Sequence, residues 1–119
     1  MSIQGIFYVA LHVSDLKRSK LFYSEKLKWT LETDEAAVAG LRFGDGYVVL
    51  LADGGQTAVK PGGMHVAVKL SGIDAEYSRL KVLGVPVSDL LSQPWGERNF
   101  SFKDPDGYEW SYGEAGGGT

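Results

Sequence analysis

Met64-His65-Val66-Ala67-Val68-Lys69-Leu70-Ser71 repeats, with exchanges, an earlier stretch of the chain, Phe7-Tyr8-Val9-Ala10-Leu11-His12-Val13-Ser14. The copies begin at residues 7 and 64, an offset of 57 in a chain of 119. Val9/Val66, Ala10/Ala67 and Ser14/Ser71 are identical, Leu11/Val68 and Val13/Leu70 exchange similar aliphatics, and an amphipathic helical pattern follows each copy. Self-similarity at that spacing marks a duplicated module. Two copies are too few for a solenoid, so the pattern predicts two modules paired about a pseudo-twofold axis over one shared surface.

Working outward, residues 6–13 alternate so that Tyr8, Ala10 and His12 share one face of a strand and Phe7, Val9, Leu11 and Val13 the other. Ser14-Asp15 offers an N-cap to a helix whose stripe is Leu16, Leu21, Phe22 and Leu27, with Tyr23 and Trp29 extending the packing. Strands are expected at about 29–33, 37–43 and 47–52, the last two joined by the hairpin turn Gly44-Asp45-Gly46. A linker over 54–63 leads to strand 64–70 and to a helix over 73–83, striped by Ile73, Tyr77, Leu80 and Leu83 and closed by Gly84. Val85-Pro86-Val87 reads as a short strand, Pro94-Trp95-Gly96 as a loop, and Arg98–Lys103 with Tyr108–Tyr112 as a hairpin about Asp104-Pro105-Asp106-Gly107. Module one is thus about 5–53 and module two about 64–113, each strand, helix, strand, strand, strand, with a flexible tail over 114–119.

Composition bounds the function. An apolar fraction of 44% and a charged fraction of 23% are those of an ordinary globular protein, and 119 residues suffice for a real core. A net charge of -3 without a run of Lys or Arg argues against nucleic acid, whose phosphates call for clustered basic groups. With no cysteine, thiolate catalysis, disulfides and cysteine-held metals are excluded. No apolar run nears the ~20 residues that span a bilayer and no signal-peptide pattern opens the chain, so no membrane partner and a cytoplasmic location are expected.

The βαβββ order, the helix start Ser14-Asp15-Leu16 running to Phe22-Tyr23, and the turn Asp104-Pro105-Asp106-Gly107 together resemble the vicinal oxygen chelate superfamily of glyoxalases, extradiol dioxygenases and bleomycin resistance proteins. The resemblance covers about residues 4–113 and implies an α+β fold in which two paired βαβββ modules form curved mixed sheets around a pocket. Enzymes of the superfamily hold a divalent metal there. Its ligand positions fall here at Tyr8, near Val49, at His65 and at Ser111, so that His65 is the one matching ligand. A metal site needs three or more converging donors. His12 lies ~13 Å along the strand from Tyr8, and Glu109 ~7 Å from Ser111, which leaves His65 with Glu109 and some third group as the alternative set. The expectation is a pocket without metal or other cofactor.

On that resemblance the pocket is lined by Tyr8, His12, Val49, Leu51, His65, Lys69, Asn99, Ser101, Glu109 and Ser111, with Trp95 at its mouth. Pro94-Trp95-Gly96-Glu97-Arg98-Asn99-Phe100 before the Asp-Pro-x-Gly turn is most similar to the bleomycin resistance branch, whose members sequester planar, often cationic drugs between aromatic rings, usually as homodimers. This implies metal-independent binding of an aromatic or polycyclic small molecule, of the antibiotic-sequestering kind, by a homodimer, with stacking on Trp95 and carboxylates such as Glu97 or Glu109 attracting a cation. Two enzymatic alternatives stand beside it: a glyoxalase-like metal-dependent lyase, isomerase or dioxygenase, and a metal-free enzyme in which Tyr8, His65 or Glu109 is the general acid or base. Trp95 has an alternative role too, as a cover for the core.

Overall fold

The computed structural model describes residues 1–52 and 59–115, and the chain divides into two units, Met1–Val59 and Lys60–Thr119. The first contains β1 (Val9–Val13), α1 (Leu16–Leu21), a π-helical turn (Phe22–Lys26), β2 (Thr30–Asp34), β3 (Val38–Phe43) and β4 (Gly46–Ala52). The second contains β5 (His65–Lys69), α2 (Ile73–Val82), β6 (Leu91–Ser92), β7 (Arg98–Lys103) and β8 (Glu109–Glu114). Strand order is β1-β4-β3-β2 in one sheet and β5-β8-β7-β6 in the other. In each, the first strand lies parallel to the last while the rest are antiparallel. Both sheets are mixed, and the two units share one topology, as the repeated stretch requires.

In the first unit Leu11, Val13, Val48, Leu50, Ala39 and Leu41 are buried, whereas Ala10 and His12 between them are exposed. Asp15 caps α1, its carboxylate accepting from the Arg18 N–H at 3.1 Å. The helical stripe differs from the expected one. Leu21 is exposed, and the buried residues are Ser19, Phe22, Tyr23 and Leu27. Helix geometry is the cause: Leu21 follows buried Ser19 by two residues, about 200° around the axis, and so faces solvent, while the π turn, with Leu27 N–H on the Phe22 carbonyl, begins only after it. Tyr23 then packs on Trp29 (ring centroids 5.2 Å apart), and Trp29 stacks on Phe43 at 4.3 Å. Strand β1 is also shorter than expected. Its ladder to β4 begins at Val9–Val48, leaving Tyr8 ahead of the strand.

In the second unit Phe100, Phe102, Trp110 and Tyr112 are buried on the side of α2, together with Ile73 and Leu80. Phe100 meets the Tyr77 ring at 5.1 Å and the Tyr112 ring at 5.7 Å. Gly84 (φ 79°) ends α2 in a Schellman arrangement, with Gly84 N–H on the Lys81 carbonyl and Val85 N–H on that of Leu80. Leu83 therefore falls outside the stripe and is exposed. At the other end Gly72 has no side chain to cap with, and Glu114 from β8 accepts the Ile73 N–H at 2.9 Å instead. The strand expected at 85–87 is reduced to a single bridge between Val87 and Phe102, since Pro86 has no N–H for a ladder, and β6 forms at Leu91–Ser92 instead.

The Asp104-Pro105-Asp106-Gly107 hairpin is held by Asp104. Its carboxylate accepts the N–H groups of Asp106 and Tyr108 at 3.0 and 2.9 Å, and Gly107 (φ 97°) supplies the backbone that the turn needs. Of the expected linker, 54–58 lies outside the described residues, as does 116–119 of the expected tail.

Candidate functional site

Each strand of the second sheet alternates, so the face turned away from α2 carries His65, Ala67 and Lys69 from β5, Glu109, Ser111 and Gly113 from β8, and Asn99, Ser101 and Lys103 from β7. Above one end of this face stands the β6–β7 loop. Its sequence dictates its shape: Gln93-Pro94-Trp95-Gly96 forms a turn closed by Gly96 N–H on the Gln93 carbonyl at 3.0 Å, with proline at the first central position and Gly96 at φ 94°. Gln93 N–H returns to the Glu97 carbonyl at 2.6 Å, so the loop is fixed at both ends.

The turn leaves Trp95 70% exposed, which sets aside its role as a cover for the core. The indole is held nonetheless. Trp95 Nε1–H donates to Glu97 Oε1 at 2.8 Å, Asn99 Nδ2 donates to Glu97 Oε2 at 3.1 Å, and Gln93 Nε2 donates to Asn99 Oδ1 at 3.0 Å. The indole bond first, and then the Asn99 bond, hold the Glu97 carboxyl below the ordinary glutamate range, outweighing its desolvation. Hence the clamp is complete at neutral pH and is lost only as the pH falls through that lowered value.

Gly113 gives the carboxylate its room: a Cβ there would lie 2.5 Å from Glu97 Oε2. Beneath the indole opens a groove of about 390 Å³, lined by Ala67, Lys69, Trp95, Glu97, Gly113 and Ala115. Its volume lies within the range of small-molecule sites.

At the opposite end of the same face His65 stands beside Glu109, with Nδ1 4.0 Å from Glu109 Oε2. The register sets the alternative pair of the sequence reading side by side. His65 pairs with Glu109 across the parallel ladder, whereas Ser111 pairs with Ala67, so Glu109 rather than Ser111 is the neighbour of His65. Among the described residues no three His, Cys, Asp or Glu side chains gather as a metal would require. A phenol at Tyr8, an aliphatic side chain at Val49 and a hydroxyl at Ser111 complete no donor set, and the residues present do not fit the divalent ion of the superfamily's enzymes.

The remaining expected residues belong to the first unit. His12 pairs with Leu51 and Ala10 with Val49 on the sheet face away from α1, while Tyr8 precedes β1, half exposed, its ring edge-on to Phe7 at 5.5 Å. Within the second unit the structure brings Lys69 and Trp95 to the groove, supports Trp95 through Asn99, sets Ser101 opposite Ser111, and joins His65 to Glu109. Gln93 and Gly113 were missing from the expected site, and Glu97 was expected there as a carboxylate that attracts a cation rather than as the partner of the Trp95 indole. The signal for Glu97 was its place two residues after a tryptophan in a tight turn; nothing local marked Gly113.

Residues 5–112 match the sequence profile of the Glyoxalase/Bleomycin resistance protein/Dioxygenase superfamily. A bleomycin resistance protein of Geobacillus stearothermophilus is 30% identical over 115 residues, covering 82% of this chain and 86% of that protein. Among solved structures, a glyoxalase/bleomycin resistance protein/dioxygenase from Nocardioides superposes with a TM-score of 0.80 at 28% identity, covering 100% of this chain and 88% of that one. An antibiotic binding protein from Streptomyces sp. CB03234 superposes with a TM-score of 0.81 at 26% identity, covering 97% and 98%. With the βαβββ topology repeated in both units, these matches place the chain in the glyoxalase/bleomycin resistance protein/dioxygenase superfamily.

Proposed function

We propose that the chain binds a planar aromatic or polycyclic small molecule without the aid of a metal, in the manner of an antibiotic-sequestering protein. The observation that carries this reading is Trp95: a 70% exposed indole, clamped by Glu97, beside a groove of about 390 Å³. A flat ring laid on a pre-oriented indole gains stacking energy without the entropy cost of ordering it. The similarity to a bleomycin resistance protein and to an antibiotic binding protein supports it.

Emodin, a planar hydroxyanthraquinone, is a suitable probe. Calorimetric titration should show Trp95→Ala binding it at least about tenfold more weakly than the wild type, a loss of ~1.4 kcal/mol, with emodin recovered unchanged. Equal affinities would remove Trp95 from the site. Sequestration by a homodimer completes the reading, in keeping with the resemblance; a one-chain mass by sedimentation at micromolar concentration would contradict that part.

The 4.0 Å approach of His65 to Glu109 favours one second reading, a metal-free enzyme using the pair as acid and base. Chemical conversion of a bound ligand, lost in His65→Ala, would move that reading to first place.

A further inference from the structure

The second sheet's free face carries more than the Trp95 groove. Its cross-strand pairs form three rows: Lys103, Glu109 and His65 at one end, Ser101, Ser111 and Ala67 in the middle, and Asn99, Gly113 and Lys69 beneath the indole. The first row has its own recess of about 310 Å³, where Lys103, His65 and Glu109 meet the backbone of Gly62 and Gly63. From His65 to Lys69 is ~13 Å along β5. A molecule seated on Trp95 and longer than its aromatic part therefore passes over two serine hydroxyls and reaches a carboxylate flanked by an ammonium group and an imidazole.

We propose that the aromatic ligand carries a neutral, hydroxyl-rich tail such as a glycosyl group, and that Lys103, Glu109 and His65 are its subsite. The proposal rests on the Trp95 reading above and names the ligand class for that face. The charges select the tail. A cationic tail would meet the Lys103 ammonium beside Glu109, and an anionic one would meet Glu109 itself. A polyol satisfies all three: the carboxylate accepts from hydroxyl groups, the ammonium donates to them, and the imidazole does either. Ser101 and Ser111 extend the same exchange of donors and acceptors toward the groove.

The test compares emodin with its 8-O-glucoside by calorimetry on the wild type, Glu109→Gln and Lys103→Met. The glucoside should bind the wild type at least tenfold more tightly than emodin does. Each variant should shrink that advantage to under threefold; Lys103→Met should hold emodin within twofold of its wild-type affinity, and wild-type thermal unfolding midpoints certify the fold of both variants. A glucoside that binds no better than emodin, or an advantage that survives both variants, overturns the tail subsite and leaves the Trp95 reading standing. Failure of both probes to bind overturns the Trp95 reading and the subsite with it.

Discussion

Trp110→Ala should destabilise the protein by about 3–5 kcal/mol, the usual cost of removing a large aromatic side chain from a packed core. Trp110 is 1% exposed, and its strand neighbours in the register are Val66 and Phe102. Domains of this size are stable by only about 5–15 kcal/mol, so the midpoint of thermal unfolding should drop by more than about 10 °C. Trp95→Ala gives the contrasting case. With 70% of the residue already in water, its removal should change stability by no more than ~0.5 kcal/mol. Denaturant unfolding of the two variants side by side checks both; a loss under ~1.5 kcal/mol for Trp110→Ala would mean that the second unit's core closes around the gap.

Gly113→Val should weaken emodin binding by about tenfold while leaving the fold intact. A valine suits a β-strand, and Gly113 is not among the residues with positive φ, so the backbone offers no objection. The obstruction is local: the new Cβ falls 2.5 Å from Glu97 Oε2, and the carboxylate must leave. With it go the acceptor of the Trp95 indole and the partner of Asn99. Trp95 then samples many orientations, and ordering one of them again costs binding energy. Emodin affinity and the chemical shift of the indole N–H report the two links separately. An unchanged indole N–H in the variant would show that Glu97 does not hold Trp95.

Much of this fold was legible in the sequence because it rests on periodicity. Alternation in residues 9–13 and 65–69, the Gly44-Asp45 turn and the Asp104 hairpin are local signals, and the structure follows them. What the sequence concealed came from interactions between distant residues. Leu21 is apolar but lies about 200° around the helix from Ser19, and it is packing against the sheet that buries the small polar Ser19 and leaves Leu21 in solvent. The edge strand moved from 85–87 to Leu91–Ser92, where Leu91 pairs with Asn99 and Ser92 with Arg98.

The candidate site divides in the same way. Trp95 in its Pro-Trp-Gly turn stood out in the sequence, but whether it lay at a pocket mouth or over the core did not, and neither did its clamp: Glu97 reaches its place only because Gly113, on the next strand, lacks a side chain. Likewise, the adjacency of His65 and Glu109 is a property of the β5–β8 register, which spacing within either strand cannot supply.

The most direct test of the central claim is a titration of wild-type tryptophan fluorescence with emodin, corrected for the probe's absorbance. Trp29 and Trp110 are 7% and 1% exposed, so a ring stacking from solvent quenches Trp95 above all. Saturable quenching at one emodin per site, absent from Trp95→Ala, is the expected result. Quenching that rises linearly without saturation, or that persists in the variant, would contradict it.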